Sequence, residues 1–517
     1  MTKQPCLKVL IIFIFGIILG RYFYLPFYAP GSYFNGLGCI FSFLIISFIF
    51  SLLFFIRQKE ILCNIFLSLS ILASGFLLTL NSIQSPEFKN LEKYIGSEVE
   101  ITGEITDEPG IYPHWSENTI SINTINNNDV KGLAKLRIYG GRIFSYNDII
   151  KCNVVMKEPS FYLLSEDINA VSNIIGSKVE KTGEGKGNIL KSSSIYFKKY
   201  IKNMYSYYLP KMESVLISGI VLGGDQNIPK GVQKIFRDTG TVHILAVSGM
   251  NVGLIGIICF VIFSNAFRLP KKIAVIPSIF IIWFYSLITG MNPPVVRSAI
   301  TLTILFLGYI FEREGDVLNS LSLAAMIILL ISPLILYSIS FQLSFVCVLS
   351  MILIYPELEN FKIKKINKEE EKIKEDLKKI NKNSPDNYMN RFVFNIKTIF
   401  LLSLSIQIGV WPIGAFYFQQ VSLISVIANI FVVPLVGIIL YLGITMVIFS
   451  KISFLVKILA STSWFLLIIL ENIVFFFAKL PYSNFQIQKP SLFFIMCYYI
   501  IIILCLNREK FYGRQKG

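Results

Sequence analysis

The sequence predicts an α-helical polytopic membrane protein with an inserted small β-barrel (OB-like) extracytoplasmic domain. Three observations predict it. Hydrophobic residues make up 54% of the 517 residues, well above the usage of a globular domain. Apolar runs of about 20 residues, the length a helix needs to cross some 30 Å of hydrocarbon, recur along the chain. Between two groups of such runs lies a segment, 85–190, in which polar and apolar residues alternate with period two.

The candidate spans are 7–25, 37–56, 61–80, 243–266, 273–290, 294–311, 317–336, 338–355, 397–418, 421–449, 452–478 and 490–506. None alternates as the strand of a membrane barrel does. The first follows Lys3 and Lys8 but has no small-x-small cleavage pattern near Gly16–Arg21, so a retained anchor is expected. Cations set the orientation. With the N-terminus inside, Arg57 and Lys59, then Arg268, Lys271 and Lys272, then segment 357–397, and finally Arg508, Lys510, Arg514 and Lys516 all fall on the inner side. The turns at Gly290–Asn292 and Ser332-Pro333 carry no cation. That assignment puts 81–242 outside and both termini inside.

The expected organisation is therefore 1–82 as N-terminal spans, 83–190 as the OB-like domain and 191–242 as an amphipathic connecting segment. A first half-bundle occupies 243–356, a charged inner linker 357–396, and a second half-bundle with a short tail 397–517. The linker's core, KIKKINKEEEKIKEDLKKINK at 362–382, is a mixed-charge run expected to be solvated. A net charge of +16 is compatible with anionic lipid or nucleic acid, and basic inner loops account for much of it.

In the outer segment, Glu98–Ile105 points Val99, Ile101 and Ile105 to one face. Asn118–Ile125, Leu133–Tyr139 and Asp148–Met156 alternate likewise, and a further short strand is expected near 167–175. Asp107–Gly110, Asn126–Asp129 and Gly140-Gly141 supply the turns. Five short strands suit a small barrel, and a fragment of a β-sandwich fits almost as well. Such a barrel holds a single nucleic-acid strand by aromatic stacking plus cations. Tyr112, Trp115, Arg137, Tyr139 and Arg142 are the candidates, with Phe144 and Tyr146 nearby, against the alternative that these are ordinary loop and core aromatics. Gly183–Gly187 lacks the spacing of a phosphate loop and reads as linker.

Eight cysteines include no CxxC pair, and His114 and His243 are the two histidines. Neither a disulfide framework, a cysteine zinc site nor a His-rich metal centre is expected, and no cofactor is called for.

The spans themselves carry polar groups. HILAVSGMNVGLI, 243–255, holds His243, Ser248 and Asn251 in an apolar run. On one straight helix Gly249, Gly253 and Gly256 fall at about 240°, 280° and 220° from His243, and Asn251 and Ser248 at about 80° and 140°. A close-packing glycine face and a separate polar face are expected. Asn292–Ser298 (NPPVVRS) sets Arg297 and Ser298 one turn into a helix started by prolines. Gln342 and Ser344 lie in a later run, Gln407 precedes Trp411-Pro412, and Asn429 precedes Pro434. Interrupted helices with inward polar groups suggest a conduit. His243 and Ser248 are too far apart on a helix to form a nucleophilic pair, and no two carboxylates are placed for acid/base chemistry, so no catalytic residue is expected. Asp225, in Leu222-Gly-Gly-Asp225, offers one carboxylate at a turn.

These blocks resemble the ComEC competence family, polytopic proteins that pass one strand of incoming DNA across the bacterial cytoplasmic membrane. The resemblance runs from about 85 to 480 and rests on four blocks in order. They are Ile220–Asp225 with Phe236–Gly240 and HILAVSGMNVGLI; Thr289–Ser298 (TGMNPPVVRS); Ser340–Phe345 (SFQLSF); and Asn429–Pro434 (NIFVVP). Asn251 stands where many members have a second histidine. The chain also stops before the metallo-β-lactamase-like domain of many relatives, so nuclease activity is not carried over. The resemblance implies single-stranded DNA as the transported partner and a path lined by Asp225, His243, Ser248, Gly249, Asn251, Gly253, Arg297, Ser298, Gln342, Ser344, Gln407 and Asn429. It also implies a cytoplasmic ATPase, an outer DNA receptor and a separate nuclease as partners, contact with membrane lipid, and a homo-oligomer. No ATP-binding loop is visible, so energy is expected from a partner or a gradient. The alternatives are a secondary transporter or lipid-handling protein for a small substrate, and a membrane scaffold.

Overall fold

The computed structural model describes residues 4–24, 33–83, 86–112, 114–140, 143–224, 228–312, 316–359, 385–481 and 483–506. Nine helices among them are long and apolar enough to cross a membrane, and Ile40–Ile56, Val317–Ile331 and Leu492–Leu506 are shorter apolar helices. Together these coincide with the twelve expected runs. Residues 362–382, Asp225 and Arg142 lie outside the described residues.

The chain forms two compact units, one of residues 1–197 with 252–341, the other of 198–251 with 342–517. In the first, α1 (Pro5–Tyr24), α2 (Tyr33–Ile56) and α3 (Glu60–Ile83) pack together. Small residues permit the approach: a Cβ on Gly75 would stand 2.5 Å from the carbonyl oxygen of Phe13. Between α2 and α3, where no water competes, Ser47 and Ser70 share a hydroxyl hydrogen bond of 2.9 Å.

A short α4 (Pro86–Glu92) leads into strands β1 (Glu98–Ile105), β2 (Gly110–Ile111), β3 (Trp115–Ile125), β4 (Asn128–Tyr139) and β5 (Asp148–Val155). A one-turn α5 (Phe161–Leu164) precedes β6 (Ile168–Ile175) and β7 (Val179–Glu184). The sheet order is β6-β4-β3-β1-β5-β7, with β2 on β3. The β4–β6 pair is parallel and the others antiparallel. Alternation delivers the core as expected. Val99, Ile101, Ile105, Ala134, Leu136, Ile138, Ile150, Cys152, Val154 and Met156 are all buried in one cluster. Phe144 joins that cluster rather than offering a surface ring.

The hydrogen-bonded ladder is open, unlike the closed barrel expected. β5 turns outward to pair with β7, and it approaches β6 through one bridge, Lys157 with Val171, and through the Ser172 hydroxyl, which donates to the Val155 carbonyl at 2.7 Å. Burial pushes the Cys152 thiol up to about 12. Asp167, exposed and held at φ +59°, has its carboxyl raised by partial desolvation and then by Glu87 nearby. The 183–187 run is not a free linker. Gly183 and Glu184 end β7, and a Cβ on Gly187, at φ +50°, would collide with the Asn147 side chain.

Also in this unit are the C-terminal part of α9 (Gly249–Val261), α10 (Lys271–Ile288), α11 (Pro293–Ile310) and α12 (Val317–Ile331). Gly290 at φ +88° and Met291 at φ +54° turn α10 into α11, and Pro293 takes the first helical position as expected. Asp316 caps α12 by accepting from the amides of Leu318 and Asn319 at 2.8 and 3.2 Å.

The second unit begins within α6 (Ile189–Tyr208) and continues through α7 (Lys211–Leu222) and α8 (Lys230–Asp238). It resumes within α13 (Ile339–Leu353), then α14 (Pro385–Phe418), β8 (Gln420–Val421), α15 (Ser425–Ile448), α16 (Ser453–Lys479), β9 (Phe485–Gln486) and α17 (Leu492–Leu506). Tyr205 is fully buried and donates its hydroxyl to the Gly443 carbonyl of α15 at 2.9 Å. A Cβ at Gly443 would stand 2.8 Å from Val221 of α7, so the absent side chain seats the α6–α7 hairpin on α15. β8 and β9 pair through Gln420 with Gln486 and Val421 with Phe485.

Candidate functional site

HILAVSGMNVGLI is not one straight helix. Val242–Ile244 is a 3-10 turn, the chain bends through Leu245–Ser248, and the α-helix starts at Gly249. The bend lies against the end of α7. That helix ends on Gly223 at φ +75°, and a Cβ there would stand 2.8 Å from Val247, so the bend packs directly on the helix end. Asn251, 3% exposed, donates Nδ2 to the Ile220 carbonyl at 2.8 Å, and its Oδ1 accepts from the Ser248 hydroxyl at 3.0 Å. Asn251 thus completes the C-terminus of α7, a backbone acceptor left over by the helix. His243 is exposed, with Nδ1 at 3.2 Å from the Gly240 carbonyl, to which the Nδ1–H tautomer donates. The wheel placing His243 and Asn251 on one helix therefore fails.

A second polar group surrounds Gly240, whose φ of +69° suits glycine. A Cβ there would stand 2.7 Å from Ser425 and 3.1 Å from Ser422. Thr239 and Thr241 share a hydroxyl hydrogen bond of 2.8 Å just before and after it. Gln407 of α14 donates to the Ser425 hydroxyl, and Ser425 donates to the Ser422 carbonyl at 2.8 Å. On the same helix face, one turn from Gln407, stands Trp411; one turn from Ser425 stands Asn429. Asn429 is 8% exposed. Trp411 Nε1, Ser422 Oγ and Asn429 Oδ1 are buried atoms with no hydrogen-bond partner among the described residues. An unmet buried polar atom costs about 1–3 kcal/mol, so each marks a place where water or a ligand group is energetically invited. Gln342 of α13 accepts from the Tyr417 hydroxyl at 3.2 Å, and Ser344 is half-buried on the same helix.

In the first unit Arg297 and Ser298 are both buried in the first turns of α11, and Ser298 returns its hydroxyl to the Pro294 carbonyl at 2.9 Å. The glycine stripe is only partly a packing face. A Cβ on Gly256 would meet Ile282 at 3.0 Å and Leu302 at 3.4 Å, whereas one on Gly253 would meet nothing within 4 Å.

On the sheet domain four candidates come together because of strand register. Trp115 pairs with Tyr139, and Glu117 with Arg137, directly across β3 and β4. Tyr112 stacks on Trp115 at 4.0 Å and 13°, Tyr139 lies 6.3 Å away, and the Arg137 guanidinium sits 5.2 Å over the Trp115 ring. Arg137 and Tyr139 are exposed. Its cation is shared, however, since Arg137 Nε also reaches Glu117 at 3.3 Å. Tyr146, by contrast, uses its hydroxyl to accept from the Asn188 amide at 2.9 Å.

Sequence inspection passed over Ser422, Ser425 and the indole of Trp411. Their signal was available: serines three apart at the entry of a span, and a tryptophan directly before an intramembrane proline.

A family model described as Competence protein matches residues 220–511, more than half of the chain. The chain belongs to the Competence protein family. With nine helices long and apolar enough to cross a membrane among its described residues, this Competence protein is a multi-pass membrane protein. It is similar to the uncharacterized protein YcaI of Escherichia coli (strain K12), 25% identical over 244 residues, which are 46% of this chain and 29% of YcaI. ComE operon protein 3 of Bacillus subtilis (strain 168) is 24% identical over 237 residues, 46% of this chain and 26% of that protein. An uncharacterized protein of Aquifex aeolicus (strain VF5) is 33% identical over 135 residues, 26% of this chain and 31% of its own length. The matches thus span less than a third of each relative. No solved structure matches the chain.

Proposed function

We propose that this Competence protein takes part in DNA uptake by conducting a single strand across the membrane, with polar groups of the second unit as part of the route. The observation that carries the proposal is that three of the unmet buried atoms, Trp411 Nε1 on α14, Asn429 Oδ1 on α15 and Ser422 Oγ just before α15, fall within the family match. A strand at duplex spacing would hold about nine phosphates in the membrane thickness. At roughly 2.5–3.5 kcal/mol per charge against lipid, the sum excludes a route outside protein. Neutral donors and acceptors replace hydration without trapping a polyanion.

The outer domain would receive the strand. In this reading the domain serves as a partly open, OB-like platform, with the Lys157–Val171 bridge standing where a closed barrel would continue its ladder. The Tyr112–Trp115–Tyr139 group, with Arg137, supplies stacking faces and a cation. In this reading residues 83–242 are extracytoplasmic and both termini cytoplasmic. An ATPase, an outer receptor and a separate nuclease complete the system.

The test uses full-length protein in proteoliposomes with labelled single-stranded DNA outside, followed by added nuclease. Protected label is expected with the native chain and is expected to fall at least threefold in Asn429→Leu. Equal protection in empty vesicles and in both proteins would overturn the proposal.

A further inference from the structure

Pro412, inside α14, has no N–H to give to the carbonyl four residues earlier, that of Ile408. Within an apolar medium such a turn persists where a neighbour meets the orphaned acceptor. The neighbour here is α17. Tyr498 donates its hydroxyl to the Ile408 carbonyl at 2.8 Å, and Tyr499 donates to the next carbonyl, that of Gly409, at 2.7 Å. The two rings stand edge to face, at 85° and 5.8 Å, as adjacent side chains must to reach consecutive carbonyls of one turn. No residue of α17 is fully buried. These two hydroxyls are therefore specific attachments of a helix that otherwise offers lipid an apolar surface.

The clasped turn is also the one that carries the site. Gln407, which bonds Ser425, precedes Ile408 directly, and Trp411, with its unmet Nε1, directly precedes the proline. Gly409 leaves no room for adjustment, since a Cβ there would collide with Ser350 of α13. We infer that Tyr498 and Tyr499 are positioning residues: α17 clamps the proline-interrupted turn of α14 and thereby fixes where Gln407 and Trp411 point. The effect on uptake rests on the function proposed above, whereas the clamp itself is measurable without DNA.

A double-mutant cycle tests it in the full-length protein. In Pro412→Ala the backbone N–H returns to the Ile408 carbonyl, so the Tyr498 hydroxyl becomes redundant. Tyr498→Phe is expected to lower the thermal midpoint in detergent by roughly 1–4 °C in the native background and by nothing measurable beside Pro412→Ala. DNA entry into proteoliposomes is expected to fall about threefold or more in Tyr498→Phe and to be unaffected by it in the Pro412→Ala background. An equal thermal shift in both backgrounds overturns the clamp. Thermal coupling with unchanged DNA entry overturns the positioning role. Thermal coupling in a native chain that admits no DNA fails the functional reading and leaves the clamp standing.

Discussion

Replacing Asn251 by alanine separates two roles that one residue can hold. Its side chain makes two hydrogen bonds, Nδ2 to the Ile220 carbonyl at 2.8 Å and Oδ1 from the Ser248 hydroxyl at 3.0 Å, at a position 3% exposed. The serine hydroxyl can rotate to another acceptor, so its loss is small. The Ile220 carbonyl cannot, because α7 ends at Leu222 and glycines at φ +75° and +95° carry the chain away. A buried acceptor left unmet costs about 1–3 kcal/mol. Hydrogen bonds within membranes measure lower, near 0.6 and at most about 1.7 kcal/mol, so the expected loss is about 1–2 kcal/mol. The assay is hydrogen exchange on the full-length protein in detergent, read at the amides of 219–224. Faster exchange there by about tenfold, with the amides of α16 unchanged, is expected. Ser248→Ala should move the same amides much less, because Nδ2 keeps its acceptor. Unchanged exchange in Asn251→Ala would refute the capping role, and loss of DNA entry without any change in exchange would make Asn251 a contact of the route instead.

Three further outcomes follow from the sheet domain. Cys152, with its thiol pushed up to about 12, should react with maleimide at pH 8 on the order of a thousandfold more slowly than an ordinary thiol, and peptide mapping of the folded protein should find it labelled only after denaturation. Asp167 has a raised carboxyl, so the folded state binds the proton more tightly than the unfolded one. Its contribution to stability is then greatest in acid and is lost as pH rises from the unfolded value through the folded one. Asp167→Asn, which tolerates φ +59°, should raise the thermal midpoint at pH 7 and remove that part of the pH dependence, and an unchanged midpoint would contradict it. Glu117→Gln should free Arg137 for phosphate, strengthening single-stranded DNA binding and steepening the salt dependence of log K by roughly 0.7; an unaltered slope would show that Arg137 does not meet the strand.

The spans and strands were legible because each obeys one period. Val99, Ile101 and Ile105 are buried where alternation put them, and the twelve apolar runs coincide with helices. What the wheel missed at His243–Asn251 was a tertiary contact. The run is apolar enough for helix throughout, and it breaks where Val247 packs on Gly223 at the end of α7. The open ladder was likewise invisible, because β7 reads as a charged stretch, VEKTGE, with one buried residue, Val179, and pairs along the edge that β5 offers. Arg137 was identified as a cation, but its neutralising partner came from register, since Glu117 stands opposite only once β3 and β4 are aligned.

Polar residues in the spans fall into two kinds that composition alone cannot separate. One kind is spent on the backbone where helices end or are interrupted: Asn251 on Ile220 and Tyr498 on Ile408. These groups replace water that lipid does not provide, and they would be needed in a protein that conducts nothing. The other kind is unspent. Asn429 Oδ1 and Ser422 Oγ are closed off from solvent without a partner, on α15 and at its entry, and Trp411 Nε1 is likewise unmet on α14. Folding alone gives no return for such atoms, since leucine or alanine would fill the same volume at lower cost. A route for a hydrated polyanion should therefore be sought along the unspent group, and the spent group should be expected to hold that route's walls in shape. Substitutions divide accordingly: Asn429→Leu should leave the fold intact or stabilise it while impairing transport, whereas Asn251→Ala should weaken the fold first.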